Sequence, residues 1–410
     1  MMLLVAALWF AARDPGDSLP SVSTRVDTPA QATDVAVAPS PAGSFVMGSS
    51  PVAERPHGDD QVEVCGLGWV KAQADGSVDP NLLRSADRID AARARIIASL
   101  RSGKSELSQA TGLWLSMMDA GIGTDQASDA LARTVLSSTD PQAYALAFNV
   151  CRSHQHNEGA CQLLSASQWA RLDPGNATPW LAMLSDAKAR KDRAAEDEAL
   201  HRIGTAQRSD LGFFAAVGLA ANAGSDDDES VLAAWATAVE LIGIAAAWSI
   251  PSYQHVVAAC KGVALADPNR RQTCSAVADV LTDHSNSFVD RMMGVAIGKH
   301  LGRPAEKSEW QSDEYSAYIA SLGASGADRQ SLACADLRRG LEAIRRTASL
   351  GEIGALREWV AQSGKKPEDF AREARVRQTQ QARDQAGSQA ASAPDDAAPE
   401  PRPASAAAPP

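Results

Sequence analysis

Cys151 and Cys161 bracket Arg-Ser-His-Gln-His-Asn-Glu-Gly-Ala, and Cys260 and Cys274 bracket a stretch containing Ala-Asp-Pro-Asn. Each bracketed segment reads as a turn between two helices, with its cysteines placed almost symmetrically about it. Such a placement lets a disulfide staple a helical hairpin, and disulfides persist in oxidising compartments. The first turn also carries His154 and His156, so Cys151, His154, His156 and Cys161 form an alternative set of zinc ligands of the right types. Their spacing follows no known finger pattern. The second pair has only His255 nearby, which favours the disulfide reading for both. Cys65 and Cys334 either join the two ends of the folded region or stay free.

The first residues, Met2 to Ala12, are an uncharged apolar run closed by Arg13, Asp14 and Pro15. A membrane span needs about 20 apolar residues, and a signal peptide has a basic leader before its apolar part. Segment 1–12 is therefore read as the tail of a signal or signal-anchor helix whose beginning is missing. Residues 13–60 are rich in Pro, Ala and Ser and form a linker. From 379 to 410 the chain turns Gln-, Ala- and Pro-rich, and this tail is expected to be disordered. The folded domain is assigned to 61–378, in the cell envelope: on the periplasmic side of the inner membrane, or exported.

Between those limits alanine dominates and β-branched and aromatic residues are sparse, which favours helix. Ile89, Ala92, Ile96, Ile97 and Leu100 recur at helical steps. Thr124 is placed to cap a helix. Asp140-Pro141 and Asp173-Pro174 are each expected to open one, since Asp caps and Pro suits the first turn. A short alternating stretch, Gln61-Val-Glu-Val-Cys65, is the one strand-like exception. Val231 to Ile250 has Glu240 as its sole charge and ends at Pro251. Its central carboxylate would cost about 2.5–3.5 kcal/mol on membrane insertion, so it reads as a helix buried between neighbours. The acidic run from Asp226 to Glu229 suits that helix's N-terminus. The expected fold class is all-α, built from antiparallel helical hairpins.

The two Asp-Pro pairs enclose one helix with Tyr144 and another with Trp169. After the second pair come Trp180, Met183 and Leu184, a polar turn from Arg190 to Arg193, and a further helix to Ile203. This arrangement resembles the tetratricopeptide-repeat family over residues 140–206. Trp180 stands at the leading aromatic position and Met183 at the apolar position three further on. Leu184 and Ala187 replace the family's small residue and its later aromatic. The resemblance implies a stacked TPR-like α-solenoid that binds partners through a concave face. On that reading Tyr144 and Trp180 are core residues, and Asn149, Asp186 and Arg190 point towards the groove.

The net charge is −11 with no large basic block, so nucleic acid is not an expected partner. The chain contains no G-x-S-x-G, H-E-x-x-H or P-loop motif. Gly66-Leu-Gly68 is too short for a dinucleotide fingerprint, and Glu229-Ser230 stands alone. No cofactor is expected. The function inferred is a scaffold that binds a protein or peptide, tethered to the membrane through the N-terminal segment if that segment is an anchor. The alternative is an envelope hydrolase or lyase whose site is assembled from distant residues.

Overall fold

The computed structural model describes residues 60–73, 78, 87–118, 124–153, 159–224, 227–304, 313–314, 316–317, 332–376 and 379. The anchor segment, nearly all of the linker and the tail beyond 379 lie outside these residues, as do His154 and His156. The described chain is mostly helical. It opens, however, with a β-hairpin, β1 (Gln61–Val64) and β2 (Gly68–Lys71), paired antiparallel with Val64 opposite Gly68.

The helices follow as α1 (Asp87–Arg101), α2 (Glu106–Met118), α3 (Thr124–Val135), α4 (Pro141–Ser153), α5 (Ala166–Leu172), α6 (Thr178–Arg190) and α7 (Arg193–Gly204). Then come α8 (Phe213–Asn222), α9 (Asp228–Ala259), α10 (Pro268–Asp283), α11 (Phe288–His300) and α12 (Cys334–Ser363). Short 3-10 turns, Gly159–Leu163 and Gly262–Ala266, join α4 to α5 and α9 to α10. The five apolar positions picked out in α1 are all buried, as its helical period requires.

Three Asp-Pro dipeptides lie among the described residues, and they do not all behave alike. Asp140 accepts the backbone N–H groups of Gln142 and Ala143 and caps α4. Asp267 does the same for α10, accepting Asn269 N–H with Pro268 in the first turn. Asp173-Pro174 does not open a helix. Asp173 closes α5, and α6 begins only at Thr178. The Asp173 carboxylate instead accepts from Asn176 at 3.0 Å and pairs with Arg208. Local capping chemistry was available there, and a tertiary partner took the side chain.

The apolar run from Val231 sits inside α9, which continues through Pro251 to Ala259 rather than stopping at the proline. Asp227 caps it by accepting Ser230 N–H at 2.9 Å. Val231, Leu232, Ala233, Ala234, Ala238 and Leu241 are buried, and Glu240 meets Arg93 of α1 at 2.7 Å. Among the described residues no helix is long and apolar enough to cross a membrane.

Consecutive helices pack as pairs, notably α1 with α2, α6 with α7 and α10 with α11. A solenoid repeat touches only its neighbours in sequence. Here α9 packs on α1, α6 and α12, and α8 packs on α2, α4 and α12. These crossings make a folded-back helical body, not a one-dimensional stack. One core joins α1–α5, α8, the first half of α9 and the start of α12. A second joins α6, α7, the second half of α9, α10 and α11. A smaller third holds Phe288, Ile353, Leu356 and Phe370.

All six cysteines are paired: Cys151–Cys161, Cys260–Cys274 and Cys65–Cys334. The first staples a 3-10 turn to α4, and the second joins the end of α9 to α10 across the other 3-10 turn. Asp129 of α3 secures the first turn by accepting Ala160 N–H at 2.6 Å, and this bond with Arg133 holds its carboxyl below the usual range.

Candidate functional site: an acidic concavity at the hairpin

Two glycines shape the hairpin. Gly66 and Gly68 have φ of 78° and 79°, a region that L side chains avoid. A Cβ at Gly66 would also lie 2.9 Å from the Cα of Glu229, so the tip rests directly on the first turn of α9. Val64 pairs with Leu332, and Cys65 N–H donates to the Leu332 carbonyl at 2.8 Å. The Cys65–Cys334 disulfide then ties the hairpin to the first residue of α12, with Cα atoms 4.5 Å apart. Three chain regions distant in sequence thus meet around one opening.

That opening is a concavity of about 550 Å³. Glu63, Val64, Gly66 and Gly68 form one wall, Asp227, Asp228 and Glu229 another, and Arg95 and Cys334 complete it. Asp228 pairs with Arg338 at 2.7 Å, and Glu229 with Arg88 at 3.4 Å. With Arg95 in the lining and Arg338 and Arg88 as partners, three guanidiniums face four carboxylates, so the opening keeps a small net negative charge. The N-termini of α9 and α12 point into the same region, and their partial positive charge eases the crowding of carboxylates. A ligand atom of Asp228 lies within 4.8 Å of both sulfurs, but the sulfurs are spent in the disulfide and offer no thiolate.

A smaller concavity of about 160 Å³ lies where α4, α6 and α8 begin, lined by Asp140, Gln142, Asp173, Asn176, Arg208 and Asp210. Its polar groups are engaged with the fold. Asn176 donates to the Asp210 carbonyl at 2.7 Å, and Asp210 accepts Gly212 N–H at 2.8 Å.

A buried polar cluster surrounds the start of α11. Tyr253 donates to Asp290, and Ser285 reaches the other carboxylate oxygen at 2.8 Å. Burial raises the Asp290 carboxyl above its ordinary value, against these hydrogen bonds. Burial, then the neighbouring carboxylate, raises Tyr253 as well. Arg291 pairs with Glu314 and donates to the Thr282 carbonyl, and burial brings it down to about 10. Asp290 has no solvent exposure, so the cluster serves the packing of α9 against α11.

The residues assigned to a groove do not line either concavity. Asn149 is half-buried on α4. Asp186 on α6 pairs with Arg152 at 3.1 Å, and Arg190 is exposed at the end of α6. Tyr144 is core, as expected, with its hydroxyl accepting Ser165 N–H at 3.0 Å. Trp180 is only half-buried, with the Arg202 guanidinium 5.5 Å from its ring centre. The zinc alternative loses both sulfur ligands, because Cys151 and Cys161 are bonded to each other.

No local pattern in the sequence marks the acidic concavity. The run from Asp226 to Glu229 announced a helix start, and nothing local says that Glu63 and Cys334 come to it. The chain matches no known family profile, no curated protein and no solved structure.

Proposed function

We propose that the protein is an extracytoplasmic binding scaffold that takes a basic segment of another protein or peptide in the acidic concavity. The observation that carries this reading is the concavity itself, an open space of about 550 Å³ walled by Glu63, Asp227, Asp228 and Glu229. Complementary charge speeds encounter and excludes wrong partners. Three disulfides point to an oxidising location outside the cytoplasm. In this reading segment 1–12 exports or anchors the protein on the periplasmic side of the inner membrane, and 13–60 holds the body away from the bilayer. The TPR-like segment 140–206 belongs to the supporting body.

Fluorescence anisotropy with a labelled Lys/Arg-rich peptide and an Asp/Glu-rich one tests the assignment. The basic peptide should bind, weaken as salt rises, and lose at least tenfold in affinity with Glu63→Gln and Glu229→Gln combined. Equal binding of both peptides, or no effect of the double variant, would remove the concavity from the mechanism. Loss instead with Asp186→Ala and Arg190→Ala would move the site to the α4–α6 surface.

A further inference from the structure

The three disulfides differ in their surroundings. Cys151, Cys161, Cys260 and Cys274 are all buried, and each pair closes a short loop. Cys65–Cys334 spans 269 positions in sequence. Cys65 is buried, but Cys334 is only half-buried and lines the concavity, which sets this bond apart from the other two.

What the bond holds is also unlike the rest of the molecule. In the two strands only Val64 is buried. A two-stranded hairpin is marginally stable alone in water. Its buried apolar contact is made at Val64 and Cys65, with Leu67 and Val70 packed more loosely against the same core, beside the backbone bond from Cys65 to Leu332. Opening the disulfide frees the hairpin at the point where it is best fastened. The hairpin supplies Glu63, Val64, Gly66 and Gly68, a whole wall of the concavity.

We propose that Cys65–Cys334 is a reducible latch that holds the β-hairpin as a wall of the acidic concavity, so that the concavity exists only in the oxidised protein. The reductant is a dithiol. One of its thiolates attacks Sγ of Cys334 and bonds to it. Sγ of Cys65 leaves with the electron pair of the S–S bond and takes up a proton. The second thiol of the reductant then attacks its own partner sulfur in the mixed disulfide. Sγ of Cys334, at the first turn of α12, leaves with the electron pair of the mixed disulfide and takes up the proton that the second thiol releases. Two electrons and two protons pass from dithiol to cystine, and the reductant becomes a cyclic disulfide. The acidic wall disfavours small anionic thiols, so an uncharged dithiol or a dithiol protein acts more readily than an anionic monothiol of equal potential.

The latch itself does not depend on the concavity being a binding site; its consequence for binding does. The folded, fully oxidised protein is titrated with dithiothreitol, quenched with N-ethylmaleimide, and digested for peptide mass analysis. Cys65 and Cys334 should be labelled at least tenfold faster than the other four, with helical circular dichroism unchanged. Labelling of another pair first, or of all six together, overturns the proposal. Hydrogen exchange gives a second readout. Amides of 61–72 should lose protection on reduction and in Cys65→Ser/Cys334→Ser, while α4 and α9 keep theirs. Hairpin protection unchanged after complete reduction of this bond also overturns it. Basic-peptide binding is then measured in both redox states. Loss of binding on reduction completes the proposal, and equal binding in the two states removes the gating. If the oxidised protein binds no basic peptide while labelling and exchange behave as stated, the latch stands and the proposed function fails.

Discussion

Asp290 is a carboxyl whose folded state prefers the proton, because burial raises its affinity above the unfolded value. Folding therefore bears no penalty from this group at low pH. The penalty grows as pH rises above the ordinary carboxylate value and through the raised one. Asp290→Asn removes the titration and keeps an acceptor for Tyr253. The melting temperature of wild type should fall relative to this variant as pH rises through and above the ordinary carboxylate range. Parallel profiles of the two proteins across that range would show that Asp290 does not titrate as described.

Burial also separates three aromatic residues. Trp169 is 1% exposed, and its truncation to Ala should cost about 3–5 kcal/mol. Trp180 is half-buried under Arg202, so Trp180→Ala should cost less, about 2–3 kcal/mol. Tyr144→Phe leaves Ser165 N–H without its acceptor and should cost about 1–2 kcal/mol. Urea unfolding of the three variants gives the ranking, and an equal cost for both tryptophans would contradict the burial difference.

At the scale of elements, α12 is two helical halves joined at Gly351, where φ is 72° and ψ is 168°. A Cβ there would meet Asn286 Cβ at 2.5 Å and its carbonyl oxygen at 3.0 Å. The same Asn286 carbonyl accepts the N–H of Glu352 at 2.8 Å, so the turn before α11 is fastened to this break. Gly351→Ala combines a forbidden φ with a backbone clash and should cost about 2–4 kcal/mol. A loss below 1 kcal/mol in calorimetry would mean that the break relaxes. The Cys260–Cys274 staple holds the α9–α10 turn through a sequence separation of 14. Replacing both by Ser should lower stability by about 3 kcal/mol on loop-entropy grounds. An unchanged denaturation midpoint would show that the staple adds no stability to packing already in place.

Across the whole molecule, α9 binds the parts together. Leu241 belongs to the first core, and Tyr253 and Val256 to the second. One continuous helix shared by two cores couples their unfolding. The third core has few buried residues, among them Ile353, Leu356 and Phe370, beyond the Gly351 break. Local opening costs least where buried apolar contact is smallest. Hydrogen exchange should therefore show 353–370 opening before α4 and α9, with the two larger cores opening together. Uniform protection across 353–370 and α9 would contradict this order.

By itself the sequence determined what depends on near neighbours along the chain. Helical period identified α1 and its buried face, Asp140 identified a helix start, and symmetric placement identified the Cys151–Cys161 and Cys260–Cys274 staples. These are local because a helix satisfies its backbone within four residues and a short loop fixes which cysteine is near. The strand-like stretch at Gln61 was visible, but its partner strand and docking site were not. Tertiary structure decided the rest. It turned Asp173 from a cap into a partner for Arg208 and carried α9 past Pro251 to Ala259. It also folded α8 and α9 back across α1, α2 and α12, where stacked repeats would touch only their neighbours. The acidic concavity belongs wholly to this second group. Glu63, Glu229 and Cys334 share no local pattern, and only the packing of β1, α9 and α12 brings them to one opening.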